Sequence, residues 1–456
     1  MGIEWDAGRS RIDSVAATHG LLSSMLWKSV ADVHSDSALS NKEIIDHELL
    51  RYVDCISILY EAHPFHSWEH ACQVVLSATF LIKEYHKTKD EIGGSVDNNP
   101  FVRFITVFAA LIHDVKHLGM PNAQLAEDKH PLSMVYEGSF LERQSIQVGL
   151  GIFIEDFPEL STFILQLCPE FLHLVTSALL ATDVSSVERQ TKIKDRFERV
   201  VVRTEDGVSE FEKTQTVVES VLLLADVGHC SQNFNIFLKW NAAFFHECLH
   251  NFKEGRGTDP CPGWFKGQIG FVEGYIVPLT ERCSALVPGC QLTEGARDIV
   301  RQWKEHGEAF TQQLIIKSNL KDDGNVETST KKQSELNPTK DNEASPKSDW
   351  ESRSLKRAPS KLFKRLFSRI SSLTTSNKSK YVEKGHDVEQ PSRFMLEKSS
   401  CDGKEADEDN SSSHEIDSSF VEFLNSGPNP EDITDNGSLG SDIALPDTSS
   451  HSTNSE

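Results

Sequence analysis

The sequence has 456 residues, of which 46 are Lys or Arg and 69 are Asp or Glu, so its formal net charge is -23. This charge argues against a nucleic-acid-binding protein, which needs a basic face to displace counterions from phosphates. No apolar run approaches the roughly 18 to 20 residues that a bilayer requires, and the first residues lack the charged and apolar regions of a secretory signal. We therefore expect no nucleic-acid partner and no transmembrane anchor.

Apolar residues recur at helical spacing along much of the chain. The predicted helices cover residues 66–85, 101–113, 217–226, 234–252, 265–279 and 296–316. Strand-like alternation is scarce, and only residues 200–202 indicate a short extended piece. We predict an all-α fold, a multi-helix bundle followed by a disordered tail.

Composition divides the chain into three parts. Residues 1–40 form an N-terminal segment that we expect to be partly helical or disordered, and residues 41–316 can build one large core. From residue 317 the sequence turns to Ser, Asn, Asp, Glu and Lys, which cannot bury enough apolar surface to offset their ordering entropy. We therefore predict that residues 317–456 are a disordered tail.

One segment of this tail, residues 353–380, is basic and contains no acidic residue. Its apolar residues share one helical face: Leu362, Phe363, Leu366, Phe367, Ile370 and Leu373. Such a helix could lie on an anionic membrane or bind calmodulin; the alternative is a solvated linker that offsets the acidic stretches around it. Ser360 and Ser368 each follow a basic residue at the minus-three position and are candidate kinase sites.

The nine cysteines are scattered along the chain, and none of them forms a CxxC pair. An odd number of dispersed cysteines in a large domain is typical of free thiols in a reducing compartment. We therefore expect a cytoplasmic protein in which most cysteines act as small buried hydrophobic residues.

Two short segments pair a helical pattern with metal-binding residue types. At residues 65–70, His66 and His70 are four apart at the opening of a helix, and this spacing puts both imidazoles on one face. At residues 223–229, Asp226 ends a run of buried apolar residues, where a carboxylate is costly unless it is paired or metal-bound.

A third segment, residues 113–122, is richer in such side chains. An apolar helix ends there in His113 and Asp114, and His117 follows one turn later. A single histidine is usually a satisfied core residue and an Asp at a helix end is usually a cap, but this doublet with its second histidine is hard to explain by packing alone. Taken together, the three segments can supply two His and two Asp to one site. Such a mixed N/O site suits zinc, and a neighbouring oxygen-rich position that keeps several waters suits magnesium.

At these residues the sequence resembles the class I 3′,5′-cyclic nucleotide phosphodiesterases, within the HD-type metal hydrolases. The resemblance covers roughly residues 41–316, and the common order and spacing of the motifs make it specific. The motifs are His-x-x-x-His-Ala at 66–71, His-Asp-x-x-His-x-Gly-x-x-Asn at 113–122, Leu-Glu at 141–142, Ala-Thr-Asp at 181–183, Ala-Asp at 225–226, Trp240 and Gly-Gln-Ile-Gly-Phe at 267–271. It implies the helical bundle of that family and the hydrolysis of cAMP, cGMP or both to 5′-monophosphates.

The resemblance implies two divalent metal ions. The first, zinc, would be bound by four residues: His70, His113, Asp114 and Asp226. Asp114 would also bridge to the second ion, magnesium or manganese, whose waters three further residues would position: His117, Glu142 and Thr182.

The resemblance also implies how a cyclic nucleotide would be bound and cleaved. His66 would be the general acid that protonates the leaving 3′ oxygen. Gln268 would hydrogen-bond the purine edge, and Phe271 would stack on the base. Phe244 would close the opposite wall of the base slot, and His229 would lie close to the base.

Four positions depart from the family pattern, and one of them is Ser67, which stands where Asn is common. Lys116 replaces an acid and would place a positive charge near the metals, Ser145 stands where a histidine often follows the Leu-Glu pair, and His229 stands where Asn is frequent. Two alternatives therefore stay open: a phosphohydrolase of the HD type that acts on another nucleotide, and a catalytically weakened nucleotide-binding scaffold.

Overall fold

The computed structural model describes residues 9–33, 41–92 and 98–330. Every regular element in these ranges is helical, so the predicted all-α class is confirmed. The basic segment 353–380, with Ser360 and Ser368, lies outside the described residues.

The α-helices of the described ranges are, in chain order, α1 (Arg11–Val33), α2 (Lys42–Leu59), α3 (Trp68–Ile92), α4 (Val102–Ile112), α5 (Asn122–Glu127), α6 (Pro131–Val135), α7 (Phe140–Glu155), α8 (Pro158–Leu167), α9 (Phe171–Ala181), α10 (Val187–Phe197), α11 (Glu210–Asp226), α12 (Phe234–Lys253), α13 (Trp264–Phe271), α14 (Val277–Cys283) and α15 (Leu292–Thr330). Short 3₁₀ turns occur at Gly228–Ser231 and Pro288–Cys290, and π-helical turns at Glu198–Val202 and Val272–Ile276.

Helix α4 lies at the centre of the bundle, in contact with α1, α3, α9 and α11. Every residue of α4 except Arg103 is buried, as its apolar sequence requires of a helix without a polar face. Phe104 and Phe108 pack with Phe153 and Phe171 at ring-centroid distances of 5.0 to 5.9 Å. Because α4 is central, its C-terminal end and the polar residues that follow it lie in the protein interior.

Helical structure is present on both sides of the boundaries predicted at residues 41 and 316. Helix α1, before residue 41, buries Leu22 and Leu26 in the same core as the later helices. Helix α15 continues past residue 316 to Thr330. The division at residues 41 and 316 stays a prediction.

One local prediction was wrong, and one predicted helix contains a π-helical turn. Residues 200–202 form a π-helical turn that continues α10, because β-branched residues favour a strand only where a partner strand can pair with them. The predicted helix at 265–279 is interrupted by the π-helical turn Val272–Ile276 before α14 begins. Pro278, near the start of α14, has no backbone N–H, so a regular α-helical hydrogen bond cannot form there.

Within the described residues, no single helix is both long and apolar enough to cross a membrane. Helices α8 and α9, taken together across a bend of 96°, would pass the same length and composition criteria.

Candidate metal centre and nucleotide pocket

Four side chains from three helices converge beside the end of α4. His70 lies in the first turn of α3, His113 and Asp114 directly follow α4, and Asp226 is the last residue of α11. Ligand atoms of His70, His113 and Asp226 all lie within 4.8 Å of one another. His70 Nε2 is 3.2 Å from Asp226 Oδ1, and His113 Nε2 is 3.1 Å from Asp114 Oδ2. The structure thus brings together all four residues predicted to bind the first metal.

The chemistry of this cluster fits a divalent cation. His113 Nδ1 is 2.9 Å from the carbonyl oxygen of Ala110, and this contact turns Nε2 toward the two carboxylates. Burial lowers the pKa of His113, but the charges of Asp114 and Asp226 raise it well above its usual value. Two imidazoles that face two buried carboxylates form a mixed N/O site, the donor set that zinc and similar ions prefer.

The four-residue spacing predicted that His66 and His70 share a helical face. The structure shows that they do not. Helix α3 begins only at Trp68, because Ser67 ends the preceding loop and its hydroxyl accepts a hydrogen bond from the His70 N–H at 3.4 Å. The rings of His66 and His70 are 6.3 Å apart, nearly perpendicular to each other. His66 therefore lies on a loop beside the four side chains of the candidate metal centre.

Glu247 of α12, which no sequence motif indicates, holds this loop. Its Oε1 is 2.5 Å from His66 Nδ1, and its Oε2 accepts hydrogen bonds from the backbone N–H groups of Phe65 and His66 at 2.9 and 3.0 Å. Burial lowers the pKa of His66, but the charge and hydrogen bond of Glu247 outweigh it and raise the pKa to about 9. The imidazole is therefore protonated at neutral pH. An acid on the apolar stripe of α12 was the one signal in the sequence that could have indicated Glu247.

His117 lies on the opposite side of the His66 ring. The two rings stack with centroids 3.7 Å apart, and His117 Nδ1 accepts a hydrogen bond from the Gly119 N–H at 3.0 Å. Burial and the positive charge of His66 lower the pKa of His117 to about 3. His117 is therefore neutral, and because its Nδ1 is an acceptor, its Nε2 carries the proton and can donate one hydrogen bond.

The other two residues expected beside a second metal lie at the ends of α7 and α9. Burial and the charge of Asp183 raise the pKa of Glu142 to about 8, and Glu142 Oε2 accepts a hydrogen bond from Asn122 Nδ2 at 2.9 Å. Thr182 directly follows α9, and its hydroxyl donates to the carbonyl oxygen of Leu179 at 2.8 Å.

A group of aromatic rings packs against His70 of this cluster. Phe65, which the sequence analysis did not single out, is at its centre, 4.6 Å from His70, 5.2 Å from Phe244 and 5.8 Å from both His229 and Trp240 between ring centroids. Burial and the charge of His70 lower the pKa of His229 to about 3, so this side chain is neutral. Phe244 and His229 therefore border one apolar wall that reaches the metal-binding residues.

Gln268 and Phe271 lie together on α13. Gln268 is buried, and Phe271 stacks on Tyr275 with ring centroids 5.7 Å apart and planes 19° from parallel. Burial and the charge of Asp226 raise the pKa of Tyr275, so this part of the chain is within electrostatic reach of the metal-binding cluster.

Besides Ser67, two more of the four departures from the family pattern have structural partners. Lys116 Nζ lies 3.2 Å from Glu61 Oε1, so its charge is paired and does not face the metal-binding residues alone. Ser145 is buried, and its hydroxyl donates to the carbonyl oxygen of Val115 at 3.0 Å. Ser145 thus supports the turn between Asp114 and His117.

The chain is also similar to known proteins. Residues 65–294, just over half of the chain, match the family model of 3′5′-cyclic nucleotide phosphodiesterases. The chain is 21% identical to a probable 3′,5′-cyclic-AMP phosphodiesterase, pde-4, of Caenorhabditis elegans over 68% of its own length and 46% of the relative's. It is 23% identical to the cGMP-specific 3′,5′-cGMP phosphodiesterase 3 of Dictyostelium discoideum over 53% of its own length and 52% of the relative's. It therefore spans about half the length of these relatives.

The fold is similar to that of a solved phosphodiesterase domain, from the RhoPDE fusion protein of the choanoflagellate Salpingoeca rosetta. The TM-score is 0.55 at 19% sequence identity, and the similarity covers 68% of this chain and 96% of that domain.

Proposed function

Because the chain belongs to the 3′5′-cyclic nucleotide phosphodiesterase family, we propose that it hydrolyses a 3′,5′-cyclic nucleotide, cAMP or cGMP, to the 5′-monophosphate. The observation that carries this proposal is the convergence of the four metal-binding side chains beside a protonated histidine. A cation centre next to a proton donor is what the cleavage of an anionic diester with a poor leaving group requires.

We propose that His70, His113, Asp114 and Asp226 bind the first metal, zinc, through two imidazole nitrogens and two carboxylate oxygens. His113 Nε2 is buried without a satisfactory hydrogen bond, as expected of a ring nitrogen that is a metal ligand. For a second ion, magnesium or manganese, Asp114 would be the bridging ligand, and three side chains would orient its waters: His117, Glu142 and Thr182. When bound, the two cations supply positive charge for the phosphoryl oxygens and lower the pKa of a coordinated water.

The proposed role of His66 is to give its proton to the 3′ oxygen as the bond to phosphorus breaks. Glu247 keeps this ring charged before the reaction and fixes its orientation through Nδ1, so that Nε2 carries the proton that is transferred. The stacked ring of His117 is neutral and leaves His66 as the proton donor of this pair.

Base recognition requires a stacking face and an amide that can both donate and accept. We propose that Phe271 provides the face and Gln268 the amide, with Phe244 on the opposite wall and His229 at the edge of the base. The rigid support of Phe271 by Tyr275 favours this assignment.

The test is the release of 5′-monophosphate from cAMP and from cGMP by the full chain, with and without added magnesium. Metal-dependent turnover that is lost in His66→Ala supports the proposal, and the ratio of the two rates gives the nucleotide preference. His306→Ala, an exposed histidine of α15, is the matched control and should retain full turnover. Absence of turnover with either nucleotide, in a protein that contains metal, would reject it.

We further propose that residues 353–380 contact an anionic membrane or calmodulin, and that phosphorylation of Ser360 and Ser368 weakens the membrane contact. The eight cysteines of the described ranges are free thiols, which supports a reducing, cytoplasmic setting. A peptide of residues 353–380 that binds neither phosphatidylserine vesicles nor calcium-loaded calmodulin would exclude both partners.

A further inference from the structure

We propose that Lys116 is a positioning residue for the reaction, acting through its ion pair with Glu61. Two segments meet at the candidate site: residues 60–67, here called the acid loop because it carries His66, and residues 113–119, the metal turn, which carries His113, Asp114 and His117. The ion pair fixes these two segments to each other. This inference rests on the proposed function, because the position it controls is that of the proton donor.

The ion pair belongs to a continuous outer connection between the two segments. Lys116 Nζ lies 3.2 Å from Glu61 Oε1, and Glu61 Oε2 lies 3.7 Å from His63 Nε2. The His63 ring in turn packs against Gly119, so closely that a β-carbon at Gly119 would lie 2.8 Å from His63 Nδ1. The acid loop and the metal turn therefore contact each other twice here, through Glu61 with Lys116 and through His63 with Gly119. Glu61 links the two contacts because it lies close to both Lys116 and His63.

Helix α12 holds the inner side of the same two segments. Glu247 accepts hydrogen bonds from the backbone N–H groups of Phe65 and His66 in the acid loop. Asn251, one turn later, donates a hydrogen bond to the carbonyl oxygen of Gly119 in the metal turn. With α12 on one side and the ion pair on the other, the separation of the two segments is fixed from both sides.

The backbone at Lys116 shows that this position is held by its surroundings. Its φ is +65°, in the left-handed region that a β-carbon disfavours and that Gly or Asn adopts more readily. Such a conformation persists only where neighbouring contacts impose it. The side chain of Lys116 is 24% exposed and points to Glu61, so the left-handed turn directs the ammonium group to the acid loop.

The consequence for chemistry follows from the contact between His66 and His117. These rings, one from each segment, stack 3.7 Å apart, so a shift of the acid loop against the metal turn moves the proton donor relative to the metal ligands. Reaction rates depend steeply on such distances. Loss of the ion pair should therefore lower kcat and leave recognition of the base by Gln268 and Phe271, which lie on α13, nearly unchanged.

The test is a charge-swap cycle in the full chain: Lys116→Glu, Glu61→Lys and the double variant. Glu and Lys are equally unsuited to a positive φ, so backbone strain stays constant at position 116. We expect each single variant to lower kcat about two- to fivefold, the range for partly exposed ion pairs, with KM changed less than about twofold. The double variant should recover most of the loss. Lys116→Arg, which keeps the charge, should behave as the wild type.

A second measurement does not depend on activity. Hydrogen exchange of the Phe65 and His66 amides should become faster in both single variants and return toward the wild-type rate in the double variant. Arg297→Glu, which breaks an exposed ion pair between α15 and Glu281 of α14, is the matched control and should change neither kcat nor the exchange of these amides. The proposal would be overturned if the loss of kcat in the double variant equalled or exceeded the product of the losses in the two single variants. It would also be overturned if the exchange rates of both amides were unchanged. A wild type without turnover would reject the proposed function, while the exchange data would still decide the role of the ion pair.

Discussion

Replacing Glu247 with glutamine should shift the pH dependence of turnover, because it removes the charge that keeps His66 protonated. The pKa of His66 is about 9, against an ordinary value of 6.5, because Glu247 outweighs the opposing effect of burial. Asp114 and Asp226 also raise this pKa, each by less than Glu247 does. In the variant, burial is opposed only by these two weaker charges, so the pKa of His66 should fall back to about 6.5 or below.

The size of the effect follows from these two values. A general acid is active in its protonated form, so activity is present below its pKa and lost as the pH rises through it. At about pH 7.5, a group with a pKa of 9 is almost fully protonated, whereas one with a pKa of 6.5 is protonated in roughly a tenth of the molecules. Glu247→Gln should therefore lower kcat at least about tenfold at this pH, or about 1.4 kcal/mol in activation free energy, and much less at about pH 6.

The assay is kcat as a function of pH for the wild type and for Glu247→Gln. Glu273→Gln, which neutralises an exposed partner of Lys304, is the matched control and should keep the wild-type profile. An alkaline limb at the same pH in Glu247→Gln and the wild type would refute the reasoning, since Glu247 would then not set the protonation of His66.

Three further outcomes are expected. Asp226→Asn should lose bound metal, measured by elemental analysis, and retain no more than about a hundredth of the turnover, since even loss of a residue that only orients a metal ligand costs about 10- to 100-fold. Phe271→Ala should raise KM by about 5- to 150-fold, the equivalent of about 1–3 kcal/mol of base stacking, while the half-exposed Phe252→Ala should leave KM unchanged. Gly295→Ala should lower Tm, because its β-carbon would lie 2.1 Å from a backbone carbonyl oxygen, whereas Gly20→Ala, with no atom within 4 Å, should raise Tm by about 2–4 °C.

The parts of the site that could be predicted from the sequence are those encoded by short segments. His113, Asp114 and His117 lie within one turn after a helix whose apolar pattern is unmistakable, so their proximity follows from local geometry alone. Asp226 was recognisable because a carboxylate at the end of a buried run needs a partner. Bringing these segments to one point required the resemblance to a family, since periodicity gives the faces of helices and not their neighbours.

The parts that the sequence did not reveal depend on contacts between distant segments. Glu247 is 181 residues from His66, and nothing in either segment specifies that they meet. Phe65 was hidden for the same reason, because its partners come from α3, α12 and the turn after α11. The expectation for His66 failed differently: a helical spacing was applied to residues that lie partly before the helix, and the capping Ser67 marks the true start.

The position of the metal-binding residues follows from the same burial that makes α4 easy to predict. A helix that is apolar on every side has no face on which a charged ligand could be placed without disrupting the core. Its last turn differs, because the carbonyl groups there lack helical partners and a polar side chain can bond to them, as His113 does with Ala110. Helix α11 is also buried along most of its length and likewise ends in its ligand, Asp226. Two buried helices that end at one point thus place imidazole and carboxylate groups deep in the protein while their own sequences stay apolar.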